Sequence, residues 1–156
     1  MSREPEIVQA MKNAIDGITV GEPPEEQRPF RAMVGKFGLL DVPEGTVCIR
    51  PVLVKPTARS STQQEYDMRI LLGIRSRVIA DDEGLHAFTQ VCNDVGIILR
   101  ALINSDYFKP GRPESVGGKL VREEAQYWYR PGAGAGEPGG AIVPVTVHWG
   151  EPTSEE

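Results

Sequence analysis

The chain has 156 residues, of which 40% are apolar and 25% are charged. This composition is typical of one globular domain over 1–156 and excludes a disordered or collagen-like chain. A net charge of −5 disfavours a surface that grips nucleic acid, and two cysteines are too few for a disulfide scaffold or a zinc site. No apolar run is long enough to span a membrane, and the N-terminus lacks the apolar core of a signal peptide.

The N-terminal third predicts one short helix and the first strands. Apolar residues at helical spacing follow Ser2, a candidate cap, and predict an N-terminal helix within 1–18. The acidic, proline-rich stretch 20–29 predicts a surface loop, and 30–40 a bent or edge strand. The β-branched run 46–54 predicts a strand, which lies at a sheet edge or carries a bulge because Pro51 lacks an N–H.

The next segment predicts a long hairpin. From Gln64 onwards apolar and polar residues alternate, so that one face of the strand is buried and the other is wet. The polar connector Lys55–Thr62 is predicted to form the tip of this hairpin.

The second half predicts a long helix and two closing strands. Apolar residues three and four apart predict the helix over 85–102, with Asp81–Glu83 before it as capping acids. Strands are predicted over 119–130 and 141–149, separated by a Gly-rich loop at 131–140.

The closing residues 150–156 predict a flexible acidic tail. These elements together predict an α+β fold: a mostly antiparallel sheet of four or five strands with a long β-hairpin, packed against one long and one short helix.

The sequence contains no recognisable catalytic, cofactor-binding or metal-binding pattern. His86 and His148 lie outside nucleophile motifs; His86 is interpreted as a partly exposed surface residue and His148 as a polar residue at the end of the last strand. The glycines at 132–136 do not lie between a strand and a helix, as a dinucleotide turn requires. We therefore predict no catalytic residue, no cofactor, no metal and no enzyme activity.

The order of elements resembles that of the tail terminator proteins of long-tailed bacteriophages. The stretches that carry the resemblance are the hairpin TVCIRPVLVKPTARSSTQQEYDMRILLGIRS, the helix DDEGLHAFTQVCNDVGIILRALIN and the closing GGAIVPVTVHW. The resemblance covers nearly the whole chain and rests on element order rather than on a sequence motif. The Gly-rich loop and the proline-rich 20–29 stretch depart from it.

This resemblance implies a hexameric ring that caps the tail tube, stops its polymerisation and joins it to the head connector or stopper protein. The partners implied are further copies of the chain, the tail tube protein and the connector, at the virion neck after assembly in the host cytoplasm. Genomic DNA would pass through the lumen without specific binding, and an acidic chain suits such a lumen. No membrane is involved.

Four residues are predicted at interfaces. The resemblance places the hairpin tip near a neighbouring subunit or tube ring, with Lys55, Arg59 and Gln64 in contact. Trp128 lies in the aromatic run Tyr127–Tyr129, and alternation along a strand sends it to the face opposite its neighbours. That aromatic surface is buried by a helix or contacts a partner.

Other functions stay open at this point. A head-completion or stopper protein of the neck has similar size and similarly lacks catalytic residues. A small enzyme or ligand-binding domain with a site between subunits, using His86, Asp81 or Asp82, is a second alternative, and a cytoplasmic adaptor is a third.

Overall fold

The computed structural model describes residues 3–16, 18–20, 28–35, 45–76, 84–109, 119–122, 126–128 and 140–152. Its helices are α1 (Glu4–Ile15) and α2 (Gly84–Ile103), with a 3-10 turn at Asp106–Phe108. Its strands are β1 (Thr19–Val20), β2 (Arg28–Pro29), β3 (Arg31–Val34), β4 (Thr46–Arg59), β5 (Gln63–Arg75), β6 (Lys119–Arg122), β7 (Gln126–Trp128) and β8 (Gly140–Pro152). The α+β class, with one long helix, one short helix and a long hairpin, is confirmed.

The main sheet has the order β3-β4-β5-β8-β6, and β7 also pairs with β8. All its pairings are antiparallel except that of β3 with β4. The short strands β1 and β2 pair with each other, at the two ends of the predicted 20–29 loop. The strand predicted at 30–40 is β3 at the sheet edge, and residues 36–40 lie outside the described residues.

The core lies between one face of this sheet and the two helices. Alternation along β5 is as predicted, since the side chains of Met68, Ile70, Leu72 and Ile74 are all fully buried. The opposing face of α2 buries a wider stripe than predicted, because Val91 and Ile98 are buried beside the predicted positions. Cys48 is buried as predicted, whereas Cys92 is half-buried.

The first helix begins without the predicted Ser2 cap. Arg3 is its N-cap residue, and the Arg3 side chain makes no capping hydrogen bond to the first turn. Pro5 and the acidic Glu4 and Glu6 occupy the first turn, where a missing N–H costs nothing and negative charge favours the helix dipole. The helix ends at Asp16, whose backbone N–H bonds to the carbonyl of Lys12.

The predicted strand 119–130 contains β6 and β7, which both pair with β8, and residues 123–125 and 129–130 lie outside the described residues. One predicted boundary is wrong. The predicted tail at 150–156 begins too early, because Gly150, Glu151 and Pro152 continue β8 and pair with Glu65, Gln64 and Gln63. Residues 153–156 and the predicted Gly-rich loop at 131–139 lie outside the described residues, whereas Gly140 begins β8.

The hairpin also differs at its tip. β4 runs to Arg59 and β5 starts at Gln63, so Lys55 and Arg59 lie in a strand rather than in a long polar connector. The turn is short: the N–H of Ser60 donates to the carbonyl of Gln63, and the Ser60 hydroxyl accepts the N–H groups of Thr62 and Gln63. The serine side chain thus closes the turn without a glycine.

A register shift occurs at Pro51, in agreement with the bulge that was one of the two structures predicted for this position. Pairing moves from Pro51 with Ile70 to Leu53 with Arg69, which leaves Val52 as an extra residue in β4. The edge prediction also holds in part. β3 pairs with β4 only as far as Ile49, and no strand among the described residues pairs with that side of β4 beyond this point.

The prolines of the long strands share one geometry. Pro51 and Pro56 in β4 and Pro144 and Pro152 in β8 all pair with residues of β5. Along β5, successive residues direct their backbone N–H and C=O groups alternately towards β4 and towards β8. Each of the four prolines lies opposite a β5 residue that directs these groups towards the strand on the other side of β5. Every one of these nitrogens therefore points away from β5, where the missing N–H breaks no ladder bond.

Candidate interaction surface

Three long strands, β4, β5 and β8, form the far end of the sheet, and the short β6 pairs there with Val145–His148 of β8. We call residues 50–59, 63–71 and 144–152 the distal sheet. In β4 the first four residues are buried and the remaining ten are exposed. Val52, Leu53 and Val54 are 48%, 54% and 39% exposed, although they belong to a strand that is hydrogen-bonded to β5 on one side. This end of β4 extends beyond the core that the chain builds for itself.

The face of the distal sheet away from the helices carries a groove of about 350 Å³ lined by Leu53, Lys55, Asp67, Arg69 and Thr146. We call it the distal groove. Its two rows of side chains follow from the strand register, because residues directly opposite one another project from the same face.

One row consists of Leu53, Arg69, Thr146 and Val121, and the other consists of Lys55, Asp67, His148 and Lys119. The sheet therefore places apolar side chains at both ends of the first row and lysines at both ends of the second.

His148 lies between two carboxylates on this face. Its Nδ1 is 2.6 Å from Oδ1 of Asp67, and its Nε2 is 3.1 Å from Oε1 of Glu65. The hydrogen bond to Asp67, followed by the one to Glu65, raises the pKa of His148 above its ordinary value of 6.5. The protonated imidazole then neutralises part of the negative charge of β5 on this face.

Aromatic packing closes the opposite face of the distal sheet over β5 and β8, whereas Val54 of β4, on the same face, is exposed. Trp149 is 1% exposed and stacks on Tyr66, with ring centroids 5.5 Å apart. Its indole N–H donates to Oε2 of Glu151 at 2.9 Å, which satisfies the polar edge of a buried ring. The distal sheet is thus fixed to the core on one face and open on the other.

The four predicted interface residues do not share one place. Lys55 lines the distal groove, whereas Arg59 is opposite Gln64 next to the turn. The side-chain amide of Gln64 donates to the carbonyls of Ala58 and Glu65, so it supports the turn of its own chain. Trp128 pairs with Gly140 at the other end of β8, and its side chain lies outside the described residues.

Sequence reasoning missed His148, Asp67, Arg69 and Thr146 as a group. Alternation placed Asp67 and Arg69 on the wet face of β5, but the register between β5 and β8 brings His148 and Thr146 beside them. The sequence signal for this group was limited to polar residues two positions apart, Asp67 and Arg69 in one strand and Thr146 and His148 in the other.

The described residues offer no group of three or more His, Cys, Asp or Glu side chains arranged to hold a metal ion. Within the same residues no helix is both long and apolar enough to cross a membrane. His86, Asp81 and Asp82 contribute no described side chain, so the alternative site built on them lies outside the described residues. Comparison with protein-family models and with curated proteins finds no match.

Proposed function

We propose that this chain is a structural protein of the virion neck, a tail terminator that forms a ring on the tail tube, stops its polymerisation and joins it to the head connector. The observation that carries the proposal is the exposed length of β4, from Arg50 to Arg59. A strand that leaves ten consecutive residues exposed has more length than its own core uses, and this length is available to another molecule.

The chemistry of this surface favours a protein partner. Val52, Leu53 and Val54 supply apolar contact area, and Lys55 and Arg59 supply charge at its margin. Pro51 and Pro56 leave the outer edge of β4 with few donors for an added strand. The contact therefore uses side chains rather than an extended intermolecular sheet, and such a contact between unlike patches closes a ring when its rotation is suitable.

Native mass spectrometry over a concentration series, with negative-stain images of large species, tests the ring. We expect a six-subunit species with a central lumen. A monomer or dimer at every concentration contradicts a self-closing ring. Locating a labelled chain within particles separates a terminator on the tube side from a stopper on the head side.

A variant pair tests the surface. Lys55→Glu combined with Arg59→Glu should weaken assembly at least tenfold and leave the melting temperature unchanged, because both side chains are exposed. Arg100→Glu, an equally exposed reversal on α2, is the matched control and should assemble as the parent does. Unchanged assembly of the double variant would show that the hairpin is not part of the interface.

A further inference from the structure

The distal groove has a chemical character that selects its occupant. Asp67 and Glu65, the two acids of β5 on this face, are both held by His148. Lys55 and Lys119 are exposed at the two ends of the same row, and Arg69 lines the groove between them. The charge offered to a ligand is therefore positive at both margins.

The apolar residues beside the distal groove restrict the chemical class of its ligand further. Leu53 is 54% exposed and Val121 is 47% exposed, at the two ends of the row that contains Arg69. A phosphate backbone has no apolar groups to cover these side chains, whereas a peptide with carboxylates and prolines has both. The groove thus fits an acidic, proline-containing peptide.

The chain itself contains such a peptide. The stretch Glu22–Glu26 reads Glu-Pro-Pro-Glu-Glu and has no basic residue.

We propose that the distal groove binds the acidic stretch Glu22–Glu26 of a second copy of this chain. The inference rests on the proposed function in one respect: repeated from copy to copy, this contact is the head-to-tail interface that a ring requires. Lys55 and Lys119 pair with its carboxylates, and Leu53 and Val121 pack against its prolines.

Peptide binding to the full chain tests the contact directly. The receptor is the variant Glu22→Gln/Glu25→Gln/Glu26→Gln, whose own stretch no longer competes, and the probe is a fluorescein-labelled peptide VGEPPEEQRP followed by anisotropy. We expect saturable binding that weakens at least tenfold when Lys55→Glu and Lys119→Glu are added, and that weakens with salt. Adding Arg100→Glu instead should leave the affinity unchanged.

Several results would overturn the inference. These are absence of saturable binding, equal binding of the peptide with its three Glu changed to Gln, and tighter binding of a ten-residue oligothymidylate, which would indicate a nucleic-acid surface. Peptide affinity that increases when residues 153–156 are deleted would indicate that the chain's own C-terminal acids occupy the groove.

Native mass spectrometry of the triple Gln variant separates this inference from the proposed function. Loss of the ring-sized species in this variant would support both the groove contact and the terminator proposal. A ring that persists contradicts the groove contact and leaves the terminator proposal standing. Peptide binding by a chain that never forms a ring contradicts the terminator proposal and leaves the groove contact standing.

Discussion

Nδ1 of His148 lies 2.6 Å from Oδ1 of Asp67, although 81 positions separate the two residues in the sequence. The pair connects β8 to β5 on the open face of the distal sheet, and Glu65 completes it on the other ring nitrogen. Three further cations share this face: Lys55 on β4, Arg69 on β5 and Lys119 on β6. The cluster makes the charge of the distal groove dependent on pH.

We expect a pH-dependent stability that His148 controls. Asp67, and after it Glu65, raise the pKa of His148 in the folded chain above 6.5, so this contribution is fully present below the unfolded pKa. It is lost as pH rises through the folded pKa. The effect is small because all three side chains are at least one-third exposed.

Urea unfolding at pH 6 and pH 8 measures this dependence. The parent chain should lose stability between the two values, and His148→Gln should lose less. His86→Gln removes the other histidine and should retain the parent's pH dependence. An equal loss in the parent and in His148→Gln would show that the ion cluster does not contribute.

The prolines of β4 predict a second behaviour. Pro51→Ala and Pro56→Ala each add an N–H on the outer side of β4, where no described strand pairs beyond Ile49. An unblocked strand edge pairs with other copies. We expect larger, irregular species by light scattering at high concentration, with little change in melting temperature. Pro5→Ala, in the first turn of α1, is the control and should scatter as the parent does; equal scattering of all three variants would contradict edge protection.

The sequence predicted the strands in which buried and exposed residues alternate most clearly. It did not predict the side-chain contacts that depend on the register between strands. β5 could be predicted because buried positions alternate with more exposed ones from Met68 to Arg75, and Pro51 marked a disturbed edge because no donor is present there. His148 could not be placed, because its partners are determined by how β8 aligns with β5. Local composition also misplaced the start of the tail, since the end of β8 is stabilised by pairing with β5.

Asp16 is expected to be a strong link between α1 and the sheet. Its Oδ1 accepts the backbone N–H of Ala32 in β3 at 2.8 Å, and its Oδ2 pairs with Lys12 at 2.8 Å. Burial alone raises the pKa of Asp16, but the bonds to Lys12 and Ala32 outweigh it, and the pKa is lowered. This stability is therefore present above the unfolded pKa and is lost as pH falls through the folded pKa.

Asp16→Ala should lower the free energy of unfolding at pH 7 by about 1–3 kcal/mol, because the Ala32 N–H loses its acceptor. Lys12→Ala removes only the exposed ion pair and should cost less than about 0.5 kcal/mol. Chemical denaturation of both variants at pH 7 and pH 3 measures the difference. Equal effects of the two substitutions would mean that the bond to Ala32 contributes nothing.

Two glycines should respond to alanine in opposite directions. Gly45 has a φ of 77°, and its peptide groups bond to β5 through Arg75 and to β3 through Arg31, so Gly45→Ala forces a side chain into the left-handed region. We expect Gly45→Ala to cost about 1 kcal/mol or more.

Gly96 lies inside α2, where an added Cβ meets only the flexible end of Arg100 at 3.4 Å. Gly96→Ala should stabilise the chain by up to about 1 kcal/mol, because alanine loses less backbone entropy in a helix. Thermal unfolding of both variants tests the pair, and a loss of stability for Gly96→Ala would show that α2 packs more tightly at this position than the Arg100 contact indicates.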